Sequence, residues 1–265
     1  MGIVDDPALD EISGLVASHQ SPGVFWVHED SGADGVITAL DIDGVTLGTI
    51  TLDGVNPDDD EDIALGPCGD GAGWCLLLGD IGDNAAARSE VVIRRVPEPY
   101  VSLASALFDL DLEPEELTYT YPEGAQDAEA LVVRPDGSPV VITKRTDGDA
   151  WVYTLPADGW DAPALATRVA VLPMGTAAGL LDAVTAADLT SDGERLLIRT
   201  YTYLRHYDLS STGVQGVADA PTREILTGAE LQGEAVGWHE DDRSIFHVSE
   251  EPNPRIYELA CSSVP

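Results

Sequence analysis

The chain has 265 residues, 44% of them hydrophobic, which is enough to enclose a sizeable core and excludes wholesale disorder. It carries 48 acids against 13 lysines and arginines, a formal charge of −35 with Lys144 as the single lysine. Such a surface repels phosphate backbones, so nucleic acid is excluded as a partner, and no apolar run reaches the roughly 18 residues that a membrane-spanning helix needs.

The opening, Met1-Gly2-Ile3-Val4-Asp5-Asp6, has neither the basic nor the apolar region of a signal peptide. From Glu11 onward, apolar runs are short, often alternating, and punctuated by turns such as Asp43-Gly44, Asp136-Gly137 and Asp192-Gly193. Five places carry an acid followed at once by a small or apolar run. They are Glu11-Ile12-Ser13-Gly14, Glu61-Asp62-Ile63-Ala64, Glu129-Ala130-Leu131-Val132, Asp188-Leu189-Thr190 and Glu234-Ala235-Val236-Gly237, recurring about every 40 to 70 residues. Second strands are expected at Val24–Val27, Cys75–Leu78, Pro139–Thr143, Arg195–Ile198 and Ser244–Val248. Third strands are expected at Val36–Asp41, Val91–Val96, Ala150–Leu155, Leu204–Leu209 and Arg255–Leu259. Outer strands follow at Leu47–Leu52, Leu117–Tyr121, Arg168–Leu172 and Arg223–Leu226. Val101–Leu112 interrupts the pattern as an excursion, either a helical turn or an outer strand. The fifth unit runs out of chain, so its outer strand must come from the N-terminal segment near Ile3. The expectation is an all-β protein, one domain over 1–265, folded as a β-propeller with five blades favoured over six and closed by an N-terminal strand. A monomer is expected.

Cys68 and Cys75 flank a Gly-rich turn between two strand-like runs, which can bring them within bridging distance. A disulfide there suggests a secreted or cell-surface protein whose leader has been removed; the alternative is two buried thiols. Cys261 is left over, as a small buried hydrophobe.

The start of one strand lies beside the end of its hairpin partner. In a propeller the five opening acids, Glu11, Glu61, Glu129, Asp188 and Glu234, would therefore ring one mouth of the central channel, with Asp30, Asp80, Asp83, Asn84, Lys144, Arg145, Arg199 and Glu250 around them. Two unit charges about 4 Å apart repel by roughly 4 kcal/mol at an effective dielectric near 20. Protonation of some acids, pairing with Lys144, Arg145 and Arg199, or a hard cation on the axis would each relieve this, and the three are compatible. Ca²⁺ suits an irregular oxygen shell better than Mg²⁺. Asp80, Asp30 and His28 are the candidate bases. Lys144, Arg145 and Arg199 either hold an anionic substrate group or serve as counter-ions to Glu129 and Asp188. No nucleophile elbow, phosphate-binding loop or zinc-protease motif is present.

The series EISGL, HEDSG, EDIALG, CLLLGDIGDN with Arg88 and VPEP, AEALVV, TKR, QGEAV and VSE resembles a family of secreted bacterial β-propeller proteins related to phytase-like and esterase-like propellers, mostly hypothetical proteins. A Trp usual before the Glu-Asp pair is replaced here by Asp60. The resemblance implies a propeller and, by analogy of fold, calcium-dependent hydrolysis of a phosphoester, ester or lactone at the acid-lined mouth. The alternative is a non-catalytic exported module that binds a cationic ligand, with a structural metal or a salt-bridged acidic ring.

Overall fold

The computed structural model describes residues 2–30, 35–69, 71, 73–104, 107–160, 162–175, 180–227, 230 and 232–260; Cys261 lies outside them. Short apolar runs joined by tight turns make antiparallel meanders. The first is β1 (Ile12–Ala17), β2 (Val24–Glu29), β3 (Val36–Asp41) and β4 (Thr46–Leu52). The second is β5 (Asp60–Pro67), β6 (Trp74–Asp80) and β7 (Val91–Pro97), followed by β8 (Phe108–Leu112) and β9 (Glu115–Thr120). Then come β10 (Ala128–Val133), β11 (Pro139–Thr143), β12 (Asp149–Thr154), β13 (Ala164–Leu165) and β14 (Thr167–Pro173). A fourth meander holds β15 (Val184–Leu189), β16 (Arg195–Thr200), β17 (Tyr203–Asp208) and β18 (Thr222–Leu226), and a fifth holds β19 (Gly233–Trp238), β20 (Ser244–Ser249) and β21 (Tyr257–Ala260).

The described residues form five sheets, each with a buried innermost strand; β1, β10, β15 and β19 are buried throughout, and β5 all but Leu65 and Pro67. These inner strands pack in the circular order β1, β5, β10, β15, β19 and back to β1. The apolar core is divided into five clusters, each between two neighbouring blades. Trp26 and Ile37 of the first blade meet Leu76 and Val96 of the second, and Phe25 of the first meets Phe246 of the fifth at 4.7 Å between ring centroids. The chain is a five-bladed β-propeller.

Two outer edges are completed by chain from the following blade. The excursion over 101–112 contributes β8, which pairs in parallel with β4, and β13 pairs in parallel with β9. Ring closure runs through the N-terminal segment, by a single bridge between Ile3 and Arg255 instead of a full strand. Val4 N–H donates to the Pro254 carbonyl at 2.9 Å, and Val4 itself is buried in the seam between the fifth and first blades. Cys68 and Cys75 are disulfide-bonded across the β5–β6 turn, with Cα atoms 5.1 Å apart.

All five inner hairpins carry a β-bulge at the same level. The register slips at Ser13, Glu61, Glu129, Thr185 and Glu234, each of which stands as the extra residue on its inner strand. A bulge re-aims a side chain without unpairing the rest of the ladder. Five bulges at one height therefore define one mouth of the propeller.

Candidate functional site: an acid-lined propeller mouth

The five bulge residues divide into two kinds. Ser13 and Thr185 use their hydroxyls to join neighbouring blades, donating to the Glu61 and Gly233 carbonyls at 2.8 Å each. Glu61, Glu129 and Glu234 bring carboxylates. Around them gather Asp30, from the loop after β2, Asp59, before β5, and Asp127, before β10. Oxygens of Asp30, Asp59 and Glu61 lie within 4.8 Å of one another, and so do oxygens of Glu61, Asp127 and Glu129, with Glu61 common to both groups.

This crowding controls protonation. Burial, then the charges of Glu129, Asp30 and Asp59, pushes Glu61 up to about 11. Burial raises Glu129 to about 8 although Lys144 opposes it, and burial followed by the Asp59 and Glu234 charges raises Asp30 to about 6. Glu250 rises to about 7 by burial and the nearby Glu234; its carboxylate accepts from the Gln232 amide, which also reaches Glu234. Asp59 and Asp127 are raised chiefly by burial. Lys144 Nζ sits 2.5 Å from Glu129 Oε1 and 5.5 Å from the Tyr201 ring centroid. Burial works against this ammonium, but Glu129 outweighs it and holds Lys144 well above its ordinary value. A groove of about 410 Å³ adjoins the cluster, lined by Asp83, Asn84, Asp127, Lys144, Arg145 and Asp147.

The GDIGDN stretch builds the wall of this mouth. Asp80 is buried, with Arg88 at 2.8 Å on one oxygen and Arg94 at 3.0 Å on the other, and it also accepts the Asp59 N–H at 3.1 Å. Burial alone would raise Asp80, but these arginines hold it below its ordinary value. Asp83 accepts from the Ala87 and Arg88 N–H groups, and its own N–H donates to Asp127 at 2.8 Å. Gly82 closes the wall: a Cβ there would strike Glu61 Oε1 and Asp59 Oδ2.

Of the residues singled out from the sequence, Glu61, Glu129, Asp30 and Lys144 are brought together, and Arg145 lines the adjoining groove, tied to Asp147 and lying 4.0 Å from the Trp151 ring. Glu234 stands at its ring position. Glu11 lies two residues before the ring position, which Ser13 fills; its carbonyl accepts the Asp30 N–H at 3.0 Å, so it flanks the mouth. Four placements correct the sequence reading. Asp188 lies three residues beyond Thr185, at the far end of β15, and lines a cavity at the opposite mouth. Arg199 is 0% exposed and paired with Glu230, which His247 also contacts at 2.7 Å, so no substrate reaches it. Asp80 is an anchor whose oxygens are already met by donors, unsuited to take a proton. His28 is buried against Gly14, its Nδ1 2.9 Å from the Glu29 carbonyl, and burial lowers it to about 4, so it stays neutral and away from solvent. Asp59 and Asp127 were not singled out. Each stands two residues before a ring glutamate, and that spacing is the signal that finds them.

Fold and site define a class: a five-bladed propeller with a carboxylate cluster and one lysine at one end of its axis. A comparison with known proteins finds no matching family model and no significant match among curated proteins.

Proposed function

We propose that the acidic mouth holds a hard divalent cation, Ca²⁺, and that the protein is an exported hydrolase of a phosphoester, ester or lactone. The motif resemblance to secreted propellers supports this, but the observation that carries it is Glu61. The residue is 3% exposed, its carboxylate faces four other acids, and among the described residues no donor is hydrogen-bonded to it. A buried charge without a partner is costly. Ca²⁺ binds oxygens at about 2.3–2.6 Å, so two oxygens on one ion lie up to about 5 Å apart, as those of Asp30, Asp59 and Glu61 do. The donors are all carboxylates, the choice for a hard ion, and the missing side chain of Gly82 lets the Glu61 and Asp59 oxygens converge where a Cβ would otherwise stand. The second group is less suited, because Lys144 already answers Glu129.

Bound there, the cation would polarise a carbonyl or phosphoryl oxygen. Lys144 and Arg145 orient the anionic part of the substrate in the groove. Asp127 belongs to both the groove and the cluster. Burial raises it, which suits a group that takes a proton from water. A second reading rests on the Glu129–Lys144 pair: with part of the ring neutralised internally, the mouth is a binding module for a cationic ligand and its metal is structural.

The test is turnover of a panel of phosphomonoesters, aryl esters and lactones with Ca²⁺ and with chelator. Turnover lost on chelation and in Glu61→Gln is the expected result. A Ca²⁺-dependent rise in melting temperature without turnover favours the module. Neither effect, with no calcium found by elemental analysis, overturns both.

A further inference from the structure

At the end of the axis away from the acidic mouth lies a second cavity, of about 320 Å³. Val16, Leu65 and Leu189 give it apolar walls. Trp238 forms another side, and Trp74 a third, its ring stacked on His19 with centroids 3.9 Å apart. Asp188 is buried in the same lining. Its Oδ1 accepts the Leu189 N–H at 2.8 Å and its Oδ2 the Trp238 N–H at 2.6 Å. A carboxylate offers about four acceptor sites, so each oxygen keeps one for a further donor. The other ionisable groups on the lining are two more acids, Glu240 and Asp242, and two histidines, His19 stacked on Trp74 and His239 held 2.9 Å from Asp241. Arg195 is already committed, 5.0 Å from the Trp238 ring centroid and 4.0 Å from Asp242. The two ends of the axis are separate rooms. Between them Asp62, fully buried, accepts the Leu131 N–H of β10 at 2.8 Å and the Ala187 N–H of β15 at 3.3 Å.

We infer that this cavity binds a small organic cation, an alkyl or aryl-alkyl ammonium ion, whose charge meets Asp188 and whose apolar body lies against Trp74, Trp238 and Leu65. An anion would face three acids. A neutral apolar ligand would leave the remaining acceptor site on each Asp188 oxygen unanswered. An ammonium satisfies both oxygens, and indole walls attract cations. The volume falls within the range of small-molecule sites. Burial holds Asp188 up to about 7, and pairing with a cation would draw it into its charged form.

The test is titration of the full chain with phenethylammonium, read by calorimetry and tryptophan fluorescence, with 2-phenylethanol as the neutral counterpart. Saturable binding at one site is expected, roughly tenfold or more tighter for the ammonium than for the alcohol. Asp188→Asn and Trp74→Ala should each weaken it by a similar factor, and chelator and Glu61→Gln should leave it unchanged. If Asp188→Asn fails to fold, Trp74→Ala, at a half-buried wall, decides alone. The inference is overturned by absence of saturable binding, by equal affinity for the alcohol, by binding that survives the substitutions in folded protein, or by binding that chelator abolishes.

Discussion

At the scale of single residues, Glu61 concentrates the strain of the mouth. Its folded value is raised, so its contribution to stability is fully present below its ordinary value and is lost as pH rises toward about 11. Glu129, Asp60, Glu29 and Glu250, raised to about 8, 7, 7 and 7, lose theirs between about pH 5 and 8. Asp80 and Glu230 have the opposite sign, held down by arginine partners and by His247, and their contribution disappears as pH falls below the ordinary carboxylate range. Metal-free protein should therefore melt highest near pH 5 and distinctly lower at pH 9, by differential scanning calorimetry. Ca²⁺ should restore the loss at pH 9, and an ion at a hundred times its dissociation constant would add about 2.7 kcal/mol. Gly82→Ala should abolish that restoration while leaving the circular dichroism spectrum of the folded protein intact. Arg199→Leu should take the guanidinium from Glu230, leaving it only His247, and cost about 3–5 kcal/mol in chemical denaturation.

At the scale of elements, the bulge explains what could and could not be seen in advance. Strand positions were legible because the Asp-Gly turns and alternating apolar runs are local signals, and most observed strands fall within a residue or two of those expected. The ring was legible only in part. Acids preceding an apolar run mark the right neighbourhood, but one extra residue in each inner strand decides which side chain faces the mouth, and a slip of one reverses the faces of a strand. Glu61, Glu129 and Glu234 survive that test, whereas Glu11 and Asp188 give way to Ser13 and Thr185. Aligning the chain on the residue after the bulge (Gly14, Asp62, Ala130, Ala186, Ala235) would have found the register, with Asp62 as the one position that is not small. The hydroxyl links have a measurable weight. Thr185→Val removes the bond to the Gly233 carbonyl and should cost about 1–3 kcal/mol, since that buried carbonyl loses a donor. Replacing Cys68 and Cys75 by Ser frees a short loop, and the denaturation midpoint should fall by an amount equivalent to about 2–3 kcal/mol.

At the scale of the whole molecule, charge and closure dominate. A formal charge of −35 repels itself across the surface, and salt at 0.1 M shortens that repulsion to about 10 Å. The metal-free melting temperature should rise with NaCl. Ca²⁺ at matched ionic strength should raise it further only if an ion is held specifically, and Glu61→Gln should erase the difference between the two salts. The ring itself is shut where Val4 meets Pro254 and Ile3 meets Arg255. These partners stand about 250 residues apart, and a ribosome delivers about 5–20 residues per second. Each newly made copy therefore spends on the order of 10–50 s with its first residues waiting for mates not yet synthesised, and the seam between the fifth and first blades is the last to form.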